Sequence, residues 1–214
     1  MISADLKAGG GKTVELGAGT GNFKAFKPEV IAGDIEEGDW LDIRLDAHMM
    51  PFGSGSIANI VMIDVLHHLA DPIGFIREAV RVLAPGGRLL LLEPYPSPLS
   101  YVVYWLFHRE PMIFNIDYFK RTEVQKKDPW LGNQAVAYLL LYKYRKKFLE
   151  RFGRDILFAK KKRLACLLYP LSGGFEGRTL IPDCLISIFK GLEKLLIPFR
   201  FLLAFRCYIV LEKR

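Results

Sequence analysis

Eight residues near the start of the chain, Val14-Glu15-Leu16-Gly17-Ala18-Gly19-Thr20-Gly21, confine what it can fold into. Val14 to Leu16 read as the apolar end of a buried strand, and the glycines after them allow a sharp turn that brings the backbone against a ligand. No side chain could sit there. A dinucleotide turn would space its glycines Gly-x-Gly-x-x-Gly, whereas here the third comes one residue early and a carboxylate precedes the first. That pattern points away from a pyrophosphate and toward a cationic, amino-acid-like ligand. Glycines also mark ordinary turns, so the meaning of this one depends on the segments downstream of it.

Several segments extend the pattern. Val30-Ile31-Ala32 is a short apolar run ending at Asp34, which lies 19 residues after Glu15. This is about the distance at which a second-strand acid reaches a ribose in doubly wound folds, although Asp34 also reads as a solvated loop carboxylate beside Glu36, Glu37 and Asp39. Asp46 reads as a turn former. Asn59 to Ile63 form a nearly continuous apolar run, a buried parallel strand, and Asp64 closes it at the carboxyl end where such sheets bind ligands. Asp71-Pro72 is an N-cap followed by proline at the first helical position, and Ile73, Ile76, Ala79, Val80 and Leu83 recur on one face. Pro85-Gly86-Gly87 stops that helix, and Leu89 to Leu92 form another buried strand, with Glu93-Pro94-Tyr95 at its end. Gly11-Lys12-Thr13 imitates the tail of a phosphate-binding loop, but position 6, where that motif needs glycine, holds leucine, and the segment precedes its strand.

Four blocks in register, Glu15 to Gly21, Ala32-Gly33-Asp34, Asp46-Ala47 with Met50-Pro51-Phe52, and Arg81 to Arg88 leading into Leu89 to Glu93, resemble the class I S-adenosylmethionine-dependent methyltransferases. The similarity is greatest to the small-molecule branch that includes the ubiquinone and menaquinone biosynthesis enzymes, and it covers about residues 13–96. It implies a Rossmann-like α/β fold, a mostly parallel seven-stranded sheet with helices on both faces and an aromatic insertion after strand five, with S-adenosylmethionine as cofactor. By the same resemblance Glu15, Gly17, Ala18, Gly19, Gly21, Asp34, Asp46, Ala47 and Asp64 bind that cofactor. Asp34 then meets the ribose hydroxyls, Asp46 the adenine amino group, the Ala47 backbone the ring, and backbone groups at Asp64 the methionine portion.

The implied reaction is in-line transfer of a methyl group to a small-molecule, lipid-like or glycan acceptor, which requires alignment and exclusion of water. His67 and His68 lie where the class places acceptor-side residues, and either could take a hydroxyl proton near neutral pH; each also reads as a packing or capping residue. His108 and Tyr95 are weaker candidates. A non-catalytic cofactor-binding subunit that stabilises or regulates a partner is the alternative, which intact glycines do not exclude. One departure from the family is the dozen or so residues before the first strand, where relatives carry one or two helices.

At 214 residues and 51 % apolar content, the chain suits a single methyltransferase domain over 1–214, with a cofactor half at 13–96 and a substrate-facing half at 97–214. Cys166, Cys184 and Cys207 are too widely spaced for a Cys-x-x-Cys site, so no metal is expected, and reduced thiols in a cytoplasmic protein are. No signal pattern opens the chain. Charge divides unevenly: residues 1–100 hold 8 Lys/Arg against 13 Asp/Glu, and residues 101–214 hold 22 against 10. Nine of the 27 aromatic residues lie between Tyr95 and Trp130, enough to wall an apolar or sugar-like acceptor or to pack a helical cap.

The basic runs Lys143 to Lys147 and Lys160 to Arg163 read as solvated faces. Without a recognition module they do not point to nucleic acid. Together with the amphipathic stretch Leu185 to Leu203, which charges and Pro198 interrupt, they fit peripheral contact with a membrane. Leu164 to Tyr169 and Arg206 to Leu211 read as the last two strands, the final one antiparallel by resemblance, joined through a flexible loop at Ser172-Gly173-Gly174. Acceptor identity and oligomeric state leave no trace in the sequence.

Overall fold

The computed structural model describes residues 1–7, 9, 11–19, 21–120, 132–164, 168–171 and 181–214. After a short helix α1 (Ile2–Asp5) come β1 (Lys12–Leu16), α2 (Asn22–Phe26), β2 (Ile31–Asp34), β3 (Ile43–Arg44) and β4 (Ile57–Ile63). A 3-10 turn (Leu66–His68) leads to α3 (Pro72–Val82) and β5 (Leu83–Pro94). The second half holds α4 (Pro98–Phe107), α5 (Val136–Tyr138) running into a π-helical turn (Leu139–Lys143), α6 (Arg145–Phe152), β6 (Ile156–Leu164), α7 (Leu168–Leu171), α8 (Ile186–Leu195), α9 (Arg200–Leu203) and β7 (Arg206–Lys213).

The seven strands make one sheet in the order β3-β2-β1-β4-β5-β7-β6. β7 runs antiparallel to β5 and β6, and the other pairings are parallel. Chain order reverses direction at β1, so the crevice at its carboxyl end, between β2 and β4, is the place where an open α/β sheet binds ligands. The doubly wound expectation is met, with the single antiparallel strand where the resemblance placed it.

Strand periodicity divides the core into two layers. Val14, Leu16, Ile60, Met62, Leu89, Leu91, Ile209 and Leu211 face one side with Phe75 and Ile76 of α3 and Phe148 of α6. The alternate residues Val61, Leu90, Tyr208 and Val210 face the other, with Phe23 of α2 and Ile2 of α1. Covering both faces requires the near-continuous apolar runs that made these strands legible. α3 starts as read: Asp71 Oδ1 accepts from the Gly74 N–H at 2.8 Å, Pro72 follows, and Ile73, Ile76 and Ala79 are buried.

The sixth strand corrects the sequence reading. It spans Ile156–Leu164 rather than Leu164 to Tyr169, and Leu168–Leu171 is helical. The run Lys160-Lys161-Lys162-Arg163 therefore lies inside a strand, at the free edge of the sheet. Lysines suit an edge because they discourage pairing with another chain. They also conceal it from a search for apolar alternation. The aromatic segment after β5 divides: Tyr104 and Tyr118 are buried, whereas Trp105 is 74 % and Phe107 71 % exposed. Trp130, Cys166 and Ser172 to Gly174 lie outside the described residues.

Candidate active site

Immediately after β1 the chain passes through Gly17, Gly19 and Gly21 at φ of +66°, +50° and +73°. L side chains disfavour this region, so all three glycines are conformational requirements. A Cβ on Gly17 would also overlap the Val65 side chain, while one on Gly19 would meet no protein atom. The turn is pinned where the Ala18 N–H donates to Gly33 O at 3.1 Å and the Gly21 N–H to Ala18 O at 2.7 Å. Beneath it Glu15 is only 4 % exposed, and its Oε2 is buried without a hydrogen-bond partner. Burial, reinforced by the nearby Asp34 charge, pushes its carboxyl up to about 7. An orphaned carboxyl oxygen buried beneath this turn has room for a hydrogen-bond donor or a cation.

Asp34 closes β2 beside the same turn. Its Oδ2 accepts from the Gly19 N–H at 2.9 Å and its Oδ1 from the Glu36 N–H at 3.2 Å, leaving outward lone pairs on both oxygens. Trp40, which nothing in its acidic surroundings singled out, donates from Nε1 to Gly19 O and lies against Gly21. Asp46 follows β3 in an exposed turn, where Oδ1 accepts from the His48 N–H at 2.8 Å and faces His48 Nδ1 at 2.9 Å. His48 Nε2 in turn contacts Asp71 O at 3.1 Å, tying the Asp46-Ala47 turn to the start of α3. The turn-forming role of Asp46 is therefore present in the fold.

On the other side of β1, Asp64 leaves β4 at φ +58°, the one positive value outside glycine among the described residues. Such strain clusters at functional sites. Its carboxylate is paired with Arg206 at the start of β7. Burial raises the Asp64 pKa, against the pull of that guanidinium. One turn further, Glu93 is fully buried and gathers three donors: the Val65 N–H at 3.0 Å and the Leu66 N–H at 2.8 Å on Oε1, and His67 Nδ1 at 2.7 Å on Oε2.

Glu110 faces His67 Nε2 at 3.5 Å and His68 Nδ1 at 3.4 Å, and accepts from the Gly132 N–H at 2.8 Å and from the Gln134 amide. Burial opposes the charge on His67, but Glu93 and Glu110 outweigh it and raise its pKa to about 9. Burial likewise opposes ionisation of Glu110, and His67 overrides it, holding that carboxyl at about 2. The candidate ligand atoms of His67, His68 and Glu110 lie within 4.8 Å of one another, a spacing open to a metal ion. Hydrogen bonds already engage His67 Nδ1 and both Glu110 oxygens, so the arrangement works as an ion-paired clamp by itself. The two histidines expected at the acceptor side thus differ: His67 is buried and held as the cation, while the His68 side chain is 28 % exposed.

Sequence reasoning missed Trp40, Glu110 and Arg206. Only long-range geometry reveals Arg206, 142 residues from Asp64. Glu93 is legible in the sequence as a residue at the crevice, but not as the centre of a clamp.

Residues 14–91 match the family model described as "Methyltransferase domain". A demethylmenaquinone methyltransferase of Thermus thermophilus is 27 % identical over 66 % of this chain and 67 % of its own. A 27-O-demethylrifamycin SV methyltransferase of Amycolatopsis mediterranei is 35 % identical over 37 % of this chain, but that match spans only 28 % of the relative. Matches to two ubiquinone/menaquinone biosynthesis C-methyltransferases, of Desulfotalea psychrophila and Pasteurella multocida, span 46 % and 44 % of the relatives' lengths. The fold is shared with an S-adenosylmethionine-dependent methyltransferase of Mesorhizobium loti, at TM-score 0.55 and 18 % identity over all of this chain and 95 % of that one. The glycine turn and the strand order are thus those of the class I S-adenosylmethionine-dependent methyltransferase fold, and residues 14–91 are similar to its methyltransferase domain.

Proposed function

We propose that this protein transfers a methyl group from S-adenosylmethionine to a small-molecule acceptor with a lipid-like portion, met at a membrane surface. The buried, unpartnered Glu15 Oε2 beneath the glycine turn carries the cofactor half of this reading. When bound, the cofactor supplies an electrophilic methyl on a sulfonium. Glu15 would answer the ammonium of its amino-acid end, and Asp34 the two ribose hydroxyls. The bare glycine backbone would let the ligand lie against the sheet, and the Asp46-Ala47 turn would border the adenine. Backbone at Asp64, fixed by Arg206, would hold the methionine portion.

On the acceptor side the clamped His67 would position the β4 turn, because an imidazolium between two carboxylates has no lone pair for a proton. His68, next to it and partly exposed, is then the group that would remove a proton from a hydroxyl acceptor. The lipid-like character of the acceptor draws support from the exposed apolar residues of α4, α8 and α9 and from the basic second half. Relatives named for demethylmenaquinone and for 27-O-demethylrifamycin SV are compatible with a bulky organic acceptor.

Titration calorimetry with S-adenosylmethionine and S-adenosylhomocysteine tests the cofactor assignment. Binding of both is expected, weakened about 2–4 kcal/mol by Asp34→Ala through loss of two charge-assisted hydrogen bonds. No heat with either ligand, together with a response to a nicotinamide cofactor, would remove the proposal.

A further inference from the structure

At the free edge of the sheet Lys161, Lys162 and Arg163 of β6 meet Arg200 of α9 and Tyr142 around a pocket of about 450 Å³. Four cations line it, with no carboxylate among them. Lys160, next in sequence, pairs with Asp5 of α1. Its four neighbours in the pocket make no ion pair with any described carboxylate. Nε of Arg163 and Nε of Arg200 are both buried without a hydrogen-bond partner. Two guanidinium groups at one cavity thus keep donor capacity that the described protein groups do not use. Lys161 shows the strain of the gathering: burial lowers its pKa, and the charges of Arg145 and Arg163 lower it further.

Aromatic faces keep these cations in place. Lys161 Nζ lies 3.6 Å from the centre of the Tyr142 ring, and Arg163 Cζ 5.1 Å from that of Tyr95. Such contacts hold a cation over a ring face, and Lys161 Nζ is fixed further by donating to Leu141 O at 3.2 Å. Strand register fixes where the pocket lies. Arg163 pairs across β7 with Cys207, which pairs with Glu93, so the pocket shares the carboxyl edge of the sheet with Tyr95 and the His67 clamp. On its other side Arg200 stands between the exposed Phe199 and Phe201. Multiple charge, planar bidentate donors and an apolar border together match a phosphoryl group on an apolar tail.

We propose that this pocket binds the phosphate or diphosphate of an amphiphile whose tail lies along α9. The assignment of that amphiphile as methyl acceptor rests on the function proposed above; the anion site itself does not. Two sources share the chemistry, a soluble phosphoryl compound and the headgroup of a membrane lipid. Calorimetry with inorganic diphosphate on the whole protein should show binding at low salt, weakened at least tenfold in Arg163→Gln/Arg200→Gln. Because Arg163 also packs on Tyr95, Lys162→Gln at the exposed edge provides an independent variant, with an expected loss of about threefold.

Sedimentation with phosphatidylcholine vesicles, with and without phosphatidic acid, separates the sources. Binding that requires phosphatidic acid and falls in the same variants identifies a membrane headgroup. Diphosphate binding without such dependence identifies a soluble ligand. Absence of diphosphate binding, or equal affinity in wild type and all variants, overturns the proposal. S-adenosylhomocysteine titrated into the same samples should bind throughout; its failure in wild type would count against the methyltransferase reading and leave the anion site to stand or fall by its own result.

Discussion

Glu15 lies just before the glycine turn and is only 4 % exposed. Its place before the glycines and its buried, unpartnered Oε2 both support the proposed cationic ligand. With a carboxyl raised to about 7, the ligand-free protein carries a proton there across the acidic range. A raised acid favours the neutral form, so this group stabilises the ligand-free fold below its unfolded value of 4.5, and that contribution fades as pH rises through about 7. A cationic ligand reverses the preference and expels the proton. Affinity for S-adenosylmethionine should therefore climb from pH 5 to pH 7.5. Calorimetry in buffers of different ionisation enthalpy should detect roughly half a proton released per ligand near pH 7. Glu15→Gln should flatten the pH dependence and weaken binding by about 1.5–3 kcal/mol. A flat profile in wild type would place the ligand's charge elsewhere.

At the scale of elements, the ends of β4 and β5 are joined by the Glu93–His67–Glu110 clamp rather than by apolar packing alone. Two linked titrations bound its contribution. His67, raised to about 9, stabilises the fold fully below its ordinary 6.5 and loses that effect as pH rises toward 9. Glu110, lowered to about 2, contributes above its ordinary 4.5 and loses it as pH falls toward 2. The clamp is thus complete between about pH 4.5 and 6.5 and is worth on the order of 3 kcal/mol, not the sum of both shifts, because each draws in part on the same His67–Glu110 pair. Urea denaturation at pH 6 and pH 9 should show stability falling with alkali, and His67→Gln should abolish most of that slope; an unchanged slope would show that the imidazolium is not its source. Legibility in the sequence obeys the same division between local and long-range partners. β1, β2, β4, β5 and α3 were legible because both-face burial and an Asp-Pro cap write themselves locally. β6 was not, because an edge strand with four consecutive cations carries no apolar alternation. Glu110 and Arg206 were not, because their partners lie on other elements.

Across the whole molecule, the uneven charge and the uneven burial coincide in the second half. None of the residues of α8 or α9 is buried, and Leu195, Phe199 and Phe201 are 72 %, 51 % and 54 % exposed. α4, which packs against α9, adds Val102, Trp105, Leu106 and Phe107 to the same class of exposed side chains. Apolar residues exposed in such number on neighbouring elements are characteristic of an interaction site. No helix among the described residues is long and apolar enough to cross a membrane. In the proposed membrane contact this face would lie in the interface plane with cations at its rim. Lys190, Lys194 and Arg200 accompany the apolar residues along α8 and α9. Two components of binding should then separate experimentally. Trp105→Ser and Phe201→Ser each remove apolar area and should weaken partition onto vesicles containing anionic lipid by about tenfold, at low and high salt alike. Lys190→Gln/Lys194→Gln should weaken it by about 1 kcal/mol per charge at low salt and much less at about 0.5 M, where attraction over several ångströms is screened. A face that instead joins two copies of the chain would respond differently: the apolar variants would convert a dimer to a monomer in sedimentation velocity without lipid, and wild type would ignore vesicles. That outcome would end the membrane reading while leaving the cofactor site untouched, because α4, α8 and α9 contribute none of the residues that surround the glycine turn.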